Sequence, residues 1–464
     1  MEGLTNTLLK VLSYWNKSFP SERSSNTAKA LAISLLVTVG RKLVSRALTT
    51  AFKDQFDWSA AYRFFSRTRW SPCALFRANL ISSIPLLCED IIAIAWDDTL
   101  VKKCGKKILG TSWQRDSLSP PWRVNFSWGY RFLQASLLLP LYNQKEEKPC
   151  RAIPVQFKQL PKHKKPAKNA PSGAHDKYKE LCSKYNSSTT FVTLLRYMRR
   201  ELNALGLSKK LLAVVDGSYI NKTTFSHGVK GVSLVGRTRK NARFFFKARK
   251  KKGKQFYSKE SFTAEEFRRD QSKEYKQTRI YYAGSRRLVR FKEISGVYQR
   301  HSTRRKPLRL IVVAPTPYRR NRRSKLEYRD PGYLLTDDFE LNAEVLIQKY
   351  FDRWQIEVNF KEEKQQMSLG KQQNWSRKSI EKAPAFIAAS YGALLIAGVL
   401  HFSEDRNHKD FEKLPKWRNK SAKRPSFSDF QQVLRREIDE LGELEIGKQV
   451  IHTSFRQISL AHCA

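Results

Sequence analysis

At 464 residues the chain has room for about three average domains, and a core of that size needs neither disulfides nor a metal to hold it. Lys and Arg number 88 against 42 Asp and Glu, and the resulting net charge of +46 excludes a protein whose partners are only small neutral molecules. A polyanion is the expected partner, and nucleic acid fits better than an anionic bilayer, because the basic residues are spread along the whole chain rather than gathered beside an apolar anchor.

The N-terminus "MEGLTNTLLKVLSYW" lacks a basic n-region, an uninterrupted apolar segment and a small-residue cleavage site, so no secretory signal is read there. Cys73, Cys88, Cys104, Cys150, Cys182 and Cys463 are scattered without a CxxC pair, which argues against zinc or a disulfide framework and for a reducing cytoplasm. Residues 1–88 read as a small basic helical domain. "TAKALAISLLVTVGRKLVSRAL" has helical apolar spacing, and "DWSAAYRFFSRTRW" mixes Trp58 and Trp70 with Arg63, Arg67 and Arg69 before Pro72. Those arginines make the domain a candidate for contacting nucleic acid, although aromatics at helical spacing are more often core.

From Ile91 the pattern changes to short unalternated apolar runs, "IIAIAWDD", "YRFLQASLLLPL" and "LLAVVDGSY", the mark of strands buried on both faces. Between the last two, "KQLPKHKKPAKNAPSGAH" reads as a loop, followed by a helix near Ser188 to Leu205; 89–220 is therefore taken as the first part of an α/β core. Residues 221–335 hold β-like pieces ("VSLVGR", "ARFFFKA", "TRIYYAG", "LRLIVVAP") broken by very basic runs, and read as a β-rich insertion. Residues 336–402 return to helix as the second part of the core. There "APAFIAASYGALLIAGVL" approaches bilayer length, yet its small residues mark a buried helix rather than a membrane span. Residues 403–464 read as a polar region with one more helix around "FSDFQQVLRREIDELGEL".

Two of the central runs end in carboxylates. "IIAIAWDD" delivers Asp97 and Asp98, and "LLAVVDG" delivers Asp216 with a glycine behind it for a tight turn. Functional groups in open α/β sheets collect at the carboxyl ends of strands, so these acids could meet across neighbouring strands. In "YFDRWQIEVNFKEEK" helical geometry puts Tyr350, Arg353, Glu357, Lys361 and Lys364 within a stripe of roughly 80°. Three carboxylates in a strongly basic protein suit Mg²⁺ or Mn²⁺, which take carboxylate and phosphate oxygens, with two ions serving phosphodiester cleavage or transfer. Each signal has a plainer reading. An Asp before Gly at a strand end is common turn chemistry, and Glu357 between Arg353 and Lys361 is equally a solvated helix with i,i+4 ion pairs. The joint pattern carries the argument. The chain has no GxxxxGK[ST], HExxH or GxSxG motif, which leaves ATP-driven, zinc-hydrolase and serine-hydrolase chemistry without support.

These residues resemble a known family. "YFDRWQIEVNFKEEK" fits the Tyr-Arg-Glu-Lys signature (Tyr350, Arg353, Glu357, Lys364) of the DDE-type cut-and-paste transposases of bacterial insertion sequences. "AIAWDDTLVKKCGKKILG" resembles their first-Asp box, and "LLAVVDGSYINK" the second. The resemblance implies a ribonuclease H-like mixed sheet flanked by helices, with a β-rich insertion between the second Asp and the Glu. It also implies a catalytic and metal-binding triad of Asp97 or Asp98, Asp216 and Glu357. The box "DDT" leaves both aspartates open, Asp97 being favoured, with the first Asp bridging two ions. Tyr350, Arg353 and Lys364 are implied contacts to DNA phosphate, to which Lys361 and Trp354 beside them are added as DNA-binding candidates, Trp354 equally reading as core. Some relatives hold a flipped base on an aromatic ring, for which Trp354, Phe244, Phe245 and Tyr281 are on offer. The implied function is excision and integration of an insertion sequence at terminal inverted repeats in double-stranded DNA, by a homodimer in a prokaryotic, nucleoid-associated cytoplasmic setting, with no membrane. The rival readings are an endonuclease on the same core without strand transfer, and a transposase-derived DNA-binding regulator.

Overall fold

The run "IIAIAW" becomes the first half of a twelve-residue strand at the centre of the molecule, as its lack of alternation requires. The structure, a computed structural model, describes residues 3–51, 58–116, 119–120, 122–141, 149–248, 256–300, 303, 305–319, 323–403, 409–413, 415 and 424–441; Cys463 lies outside them. The chain opens with helices α1 (Leu4–Ser13), α2 (Glu22–Val37), α3 (Val44–Ala51), α4 (Trp58–Ser66) and α5 (Pro72–Ser82), followed by strands β1 (Ile91–Lys102), β2 (Ser112–Arg115), β3 (Phe126–Pro140) and β4 (Cys150–Gln159). Helices α6 (Ser172–Lys184) and α7 (Ser187–Ala204) lead to β5 (Lys210–Val215), the short α8 (Lys222–Ser226) and β6 (Val232–Arg237). Next come β7 (Arg243–Lys247), β8 (Tyr257–Thr263), α9 (Ala264–Arg269), β9 (Lys276–Tyr282), β10 (Ser285–Val297), β11 (Leu308–Val313), the two-residue strands β12 (Pro317–Tyr318) and β13 (Glu327–Tyr328), and β14 (Gly332–Thr336). The chain then forms α10 (Ala343–Asp352), α11 (Trp354–Gln365), α12 (Arg377–Phe402) and α13 (Phe427–Leu441).

Among the described residues ten strands form one mixed sheet in the order β2-β3-β1-β5-β6-β14-β11-β10-β9, with β4 also on β3. β1 is antiparallel to β3 but parallel to β5, and β5 is parallel to β6. The α/β class is therefore as read from the sequence. The segment 221–335 is β-rich, but its strands do not form a separate sheet: β6, β14, β11, β10 and β9 continue the central one. The pair β7–β8 stands outside it, tied back through a bridge from Phe245 to Tyr298. Strand β4 and helix α6, which the sequence reading passed over, complete the first half.

Each face of the sheet buries its own apolar set. Ala93, Ala95, Leu212, Val214 and Leu334 meet Leu346 and Ile347 of α10 and Ile356 of α11 on one face. On the other, Ile94, Trp96 and Val215 meet Phe191 of α7, whose ring lies edge-on 5.2 Å from that of Trp96. Full burial of side chains of this size stabilises by about 1.5–3 kcal/mol each. Helix α7 begins at a reciprocal cap, Thr189 N donating to Asn186 Oδ1 at 3.0 Å and Asn186 N to Thr189 Oγ1 at 2.9 Å. Helix α4 ends at Ser66, ahead of Pro72, which sits in the first turn of α5, where its missing N–H costs nothing.

Helix α12 is long and apolar enough to cross a membrane, but 94% of its most apolar stretch is buried inside the protein, against α1, α2, α4, α5 and β4. Helix α13 closes this layer by capping the first helix. Its Glu437 accepts from Leu4 N at 2.8 Å and from Thr5 N at 2.7 Å, placing a carboxylate where the positive helix end favours one.

Candidate active site

The register fixes where the acids lie. Trp96 pairs with Val215 on β5, and Val215 with Gly236 on β6, so one residue further on Asp97 stands level with Asp216, just past the end of β5, and with Arg237, the last residue of β6. Asp97 and Asp98 themselves are not at a strand end as the sequence suggested but midway along β1, which continues to Lys102 paired with β3. Gly217 is required behind Asp216, because a Cβ there would come within 2.8 Å of the Arg237 carbonyl oxygen. Side chains alternate across a strand, so Asp97 and Asp98 look to opposite faces.

Asp97 faces the helices. Arg353 Nη1 donates to Asp97 Oδ2 at 3.0 Å, and its Nη2 donates to Glu357 Oε1 at 2.9 Å. One guanidinium thus joins the acid on β1 to the acid on α11. The helix read as continuous from Tyr350 is two segments, α10 and α11, meeting at Arg353, which keeps helical angles (φ −51°, ψ −31°). Arg353 and Glu357, four residues apart, still share a face. The Tyr350 ring lies 5.8 Å from the Arg353 guanidinium, and both sense the charge of Asp216.

Electrostatics at this junction are unevenly balanced. Burial pushes the Asp97 carboxyl up to about 7; Arg353 and the Asp98 backbone N–H pull it down, while the charges of Asp98 and Asp216 add to the rise. Burial works against charge on Arg353, but Asp97, Tyr350, Glu357 and Asp216 around it more than offset this and hold it firmly protonated. Asp216 is half-buried, and its carboxylate makes no hydrogen bond or ion pair among the described residues.

Asp98 belongs to a different set. Its Oδ2 accepts from Arg131 Nη1, and after burial its charge does most to raise the pKa of the buried Tyr219, ahead of Asp97. Among the described residues the Tyr219 hydroxyl has no hydrogen-bond partner.

The remaining candidates separate. Lys361 is exposed on α11. Lys364 is half-buried, its ammonium pushed down by burial against the opposing charges of Glu363 and Asp116, with the charges of Lys102 and Arg131 adding to the fall. Trp354 is 61% exposed, which removes the core reading for it. Phe244 and Phe245 are buried in the β7–β8 pair, and Tyr281 is half-buried on β9 with its backbone N–H donating to Gln348 of α10 at 2.7 Å. Trp70 is buried, stacked on Phe64, whereas Arg63, Arg67 and Arg69 are exposed and line a hollow of about 440 Å³ with Arg23 of α2.

A larger cleft, about 1270 Å³, opens directly beside Gly217 and runs over Arg237, Arg239 and Lys240 to α9. Sequence reading missed Arg237, although the strand-end rule that singled out Asp216 applies equally to "VSLVGR". It also missed Arg131, which no motif marks and only the β1–β3 register reveals.

Among the described residues no group of three or more His, Cys, Asp or Glu side chains is arranged as a metal cage, and the positive charge between Asp97 and Glu357 is the guanidinium of Arg353. The donor chemistry nevertheless suits a hard divalent cation. These are carboxylate oxygens, and the half-buried Asp97 is short of positive charge even with Arg353 beside it.

Comparison with known proteins agrees with this chemistry. No curated protein matches the chain. A family model described as DDE superfamily endonuclease matches residues 16–282, more than half of the chain, and takes in Asp97, Asp98 and Asp216. A second, described as Transposase DDE domain, matches residues 182–391 and takes in Asp216 and Glu357. The chain is thus a nucleic-acid-cleaving enzyme that belongs to the DDE superfamily endonucleases and is of the DDE transposase type.

Proposed function

We propose that this enzyme excises and integrates a DNA element by hydrolysing phosphodiester bonds at terminal inverted repeats and transferring the freed 3′ end to a target. The observation that carries the reading is the bridge from Asp97 through Arg353 to Glu357, with Asp216 level with Asp97 on the next strand. In this reading Asp97, rather than Asp98, is the first acid of the triad, and the sheet order around it is that of a ribonuclease H-like core.

Asp97, Asp216 and Glu357 would hold Mg²⁺ or Mn²⁺, two ions in the usual form of this chemistry. Bound there, the metal would activate the attacking oxygen and stabilise the leaving one. The protein's own part is orientation and charge. Arg353, protonated and adjacent to the acids, is set to take a phosphate oxygen by a charge-assisted bond, with Tyr350 beside it. Arg237, Arg239 and Lys240 would track the strand backbone along the cleft that opens at Gly217. Arg23, Arg63, Arg67 and Arg69, around their shared hollow, would read the element's end. Lys361 and Lys364 extend the phosphate contacts, and two ends cut together call for a homodimer on the DNA. We assign 1–88 to end binding, 89–220 and 336–402 to the catalytic core, 221–335 to the insertion and 403–464 to a C-terminal region, in a cytoplasmic, nucleoid-associated protein.

The test is a plasmid carrying the element's own ends, incubated with the purified protein and Mg²⁺ or Mn²⁺, wild type against Asp97→Asn, Asp216→Asn and Glu357→Gln. Cutting and joining by wild type alone is the expected result. Cutting without joining would leave an endonuclease, and binding without cutting under either metal would leave a DNA-binding regulator.

A further inference from the structure

Past Asp98, β1 runs on to Lys102 and the chain returns through β2 and β3, forming a corner of the sheet that carries three large exposed rings. Trp113 is 61% exposed, Trp122 86% and Phe126 60%. Trp113 is fixed at its base: it pairs with Trp128 across β2 and β3, ring edge to ring face at 5.6 Å, and Trp128 Nε1 donates to the Gly105 carbonyl at 3.1 Å. The same stretch carries the exposed cations Lys106 and Lys107, next to the Gly105 that Trp128 holds, Arg115, which pairs with Phe126 across β2 and β3, and Arg123, next to Trp122. The nearby carboxylate, Asp116, is engaged by Lys102 Nζ at 2.7 Å and Ser127 Oγ at 3.2 Å.

This corner is bound to the acid site. Arg131 donates from Nη1 to Asp98 and from Nη2 to the Arg115 carbonyl at 2.5 Å, joining β2 to the residue next to Asp97. Along β1 the separation of Asp98 from Lys102 is about 13 Å at the usual rise per residue.

Large rings clustered on a surface mark an interaction site, and the surrounding charge selects the partner. A second copy of this chain would bring another net charge of +46 to a basic rim, which opposes association there. Intact duplex DNA would satisfy the cations but hides the faces of its bases. An unpaired strand satisfies both, since bases stack on aromatic faces while cations follow the phosphates. We propose that Trp113, Trp122 and Phe126 form a stacking platform for unpaired bases of the DNA strand next to the cleavage point, with Arg115 and Arg123 on its phosphates. The assignment rests on DNA being the polymer cut at Asp97 and its neighbours.

The experiment is a fluorescence-anisotropy titration in EDTA. It compares a blunt duplex with the same duplex carrying a single-stranded tail of about six nucleotides. Wild type binds the tailed duplex more tightly. The double variant Trp113→Ala, Trp122→Ala loses about 10- to 100-fold on the tailed duplex and nothing on the blunt one. Because these rings are largely exposed and, among the described residues, Trp113 alone of the two packs on a neighbouring ring, Trp128, the variant stays folded with a melting temperature lowered by a few degrees at most, and Trp113→Phe, Trp122→Phe retains the preference for the tail. Equal loss on both duplexes, or no loss, overturns the platform. So does a wild-type dimer that the Ala variant dissociates in sedimentation velocity while the tail preference stays. A parallel Mg²⁺ cleavage assay separates the two proposals. Cleavage without a tail preference sinks only the platform, and a tail preference without cleavage sinks only the nuclease reading of the acids.

Discussion

Asp97 and Asp98 are adjacent in the chain and the charge of Asp98 reaches Asp97, yet they live on opposite faces of one strand and pair with different partners. On the Asp97 face, α10 and α11 bring Arg353, Glu357 and Tyr350 against the strand, and Asp216 stands level just past β5. On the Asp98 face, the carboxylate is paired with Arg131 and its charge acts on the buried Tyr219. The pleat alone makes this division: two consecutive acids within a strand point to opposite faces and so meet different partners.

The sharpest way to break that comparison is to exchange each acid for its amide. Asp97→Asn is expected to lower DNA cleavage by about 10³-fold or more, the size of loss that follows when a developing charge loses its stabilising group. Asp98→Asn is expected to cost far less. Equal losses in a plasmid cleavage assay would erase the distinction between the two faces.

Gly217→Ala probes the alignment of strand ends without touching an acid. The new methyl would meet the Arg237 carbonyl at 2.8 Å, a backbone atom that has to move, so Asp216 and Arg237 shift relative to Asp97. A displacement of this order is expected to lower kcat by about 10- to 100-fold while DNA affinity stays within a few-fold. Unchanged single-turnover rates would show that the level of β5 against β6 does not matter to the reaction.

Arg353→Gln tests the counter-charge on the Asp97 face through stability rather than rate. It leaves Asp97 and Glu357 without their shared cation, and at pH 8 the expected cost is about 2–4 kcal/mol, less than for a fully buried pair because both acids keep some solvent. Asp97 already has its folded pKa raised to about 7, against about 3.9 unfolded, so the folded state holds a proton that the unfolded state has lost. Stability therefore falls as pH rises from about 4 to about 7, and levels off above that window. Removing the guanidinium moves the upper limit higher. Urea unfolding at pH 5, 7 and 9 should show the variant nearest to wild type at pH 5 and furthest from it at pH 9; a pH-independent difference would contradict the assignment.

How much of this was legible in the sequence follows from which signals are local. The apolar runs of β1, β3 and β5 and the helical stripe of Arg353 and Glu357 depend on spacing alone, and all are present in the structure. Whether Asp97 or Asp98 faces α11 depends on the phase of the pleat against the helices, which a run buried on both faces does not encode; Ile92 to Trp96 are apolar at every position. The partner of Asp98, Arg131, is set by the β1–β3 register. The extent of the central sheet was hidden for a related reason. β6, β9, β10, β11 and β14 look like an independent set in sequence, and only their hydrogen bonds show that they extend the strands carrying the acids. The break at Arg353 between α10 and α11 leaves no mark, because its backbone angles remain helical.

The smallest effect belongs to the Asp98 face, and it sharpens the comparison most. Among the described residues Asp98 makes one ion pair, to Arg131, with side chains 20% and 22% exposed, and an amide at 98 can still accept from that guanidinium, so the exchange removes charge but keeps the hydrogen bond, at a cost of about 1 kcal/mol. Asp98→Asn should therefore lower the unfolding free energy by no more than about 1 kcal/mol, and cleavage by no more than about 10-fold. What remains of its effect should act through Arg131, which also holds the Arg115 carbonyl of β2 at 2.5 Å. Arg131→Met then becomes the informative partner variant. If Asp98 matters only as the anchor of Arg131, the double variant costs no more than Arg131→Met alone, because both substitutions release the same link between β1 and β2. If the two losses add in full, Asp98 acts on the site by a route of its own, and the division of labour between the two faces of β1 is weaker than the geometry suggests.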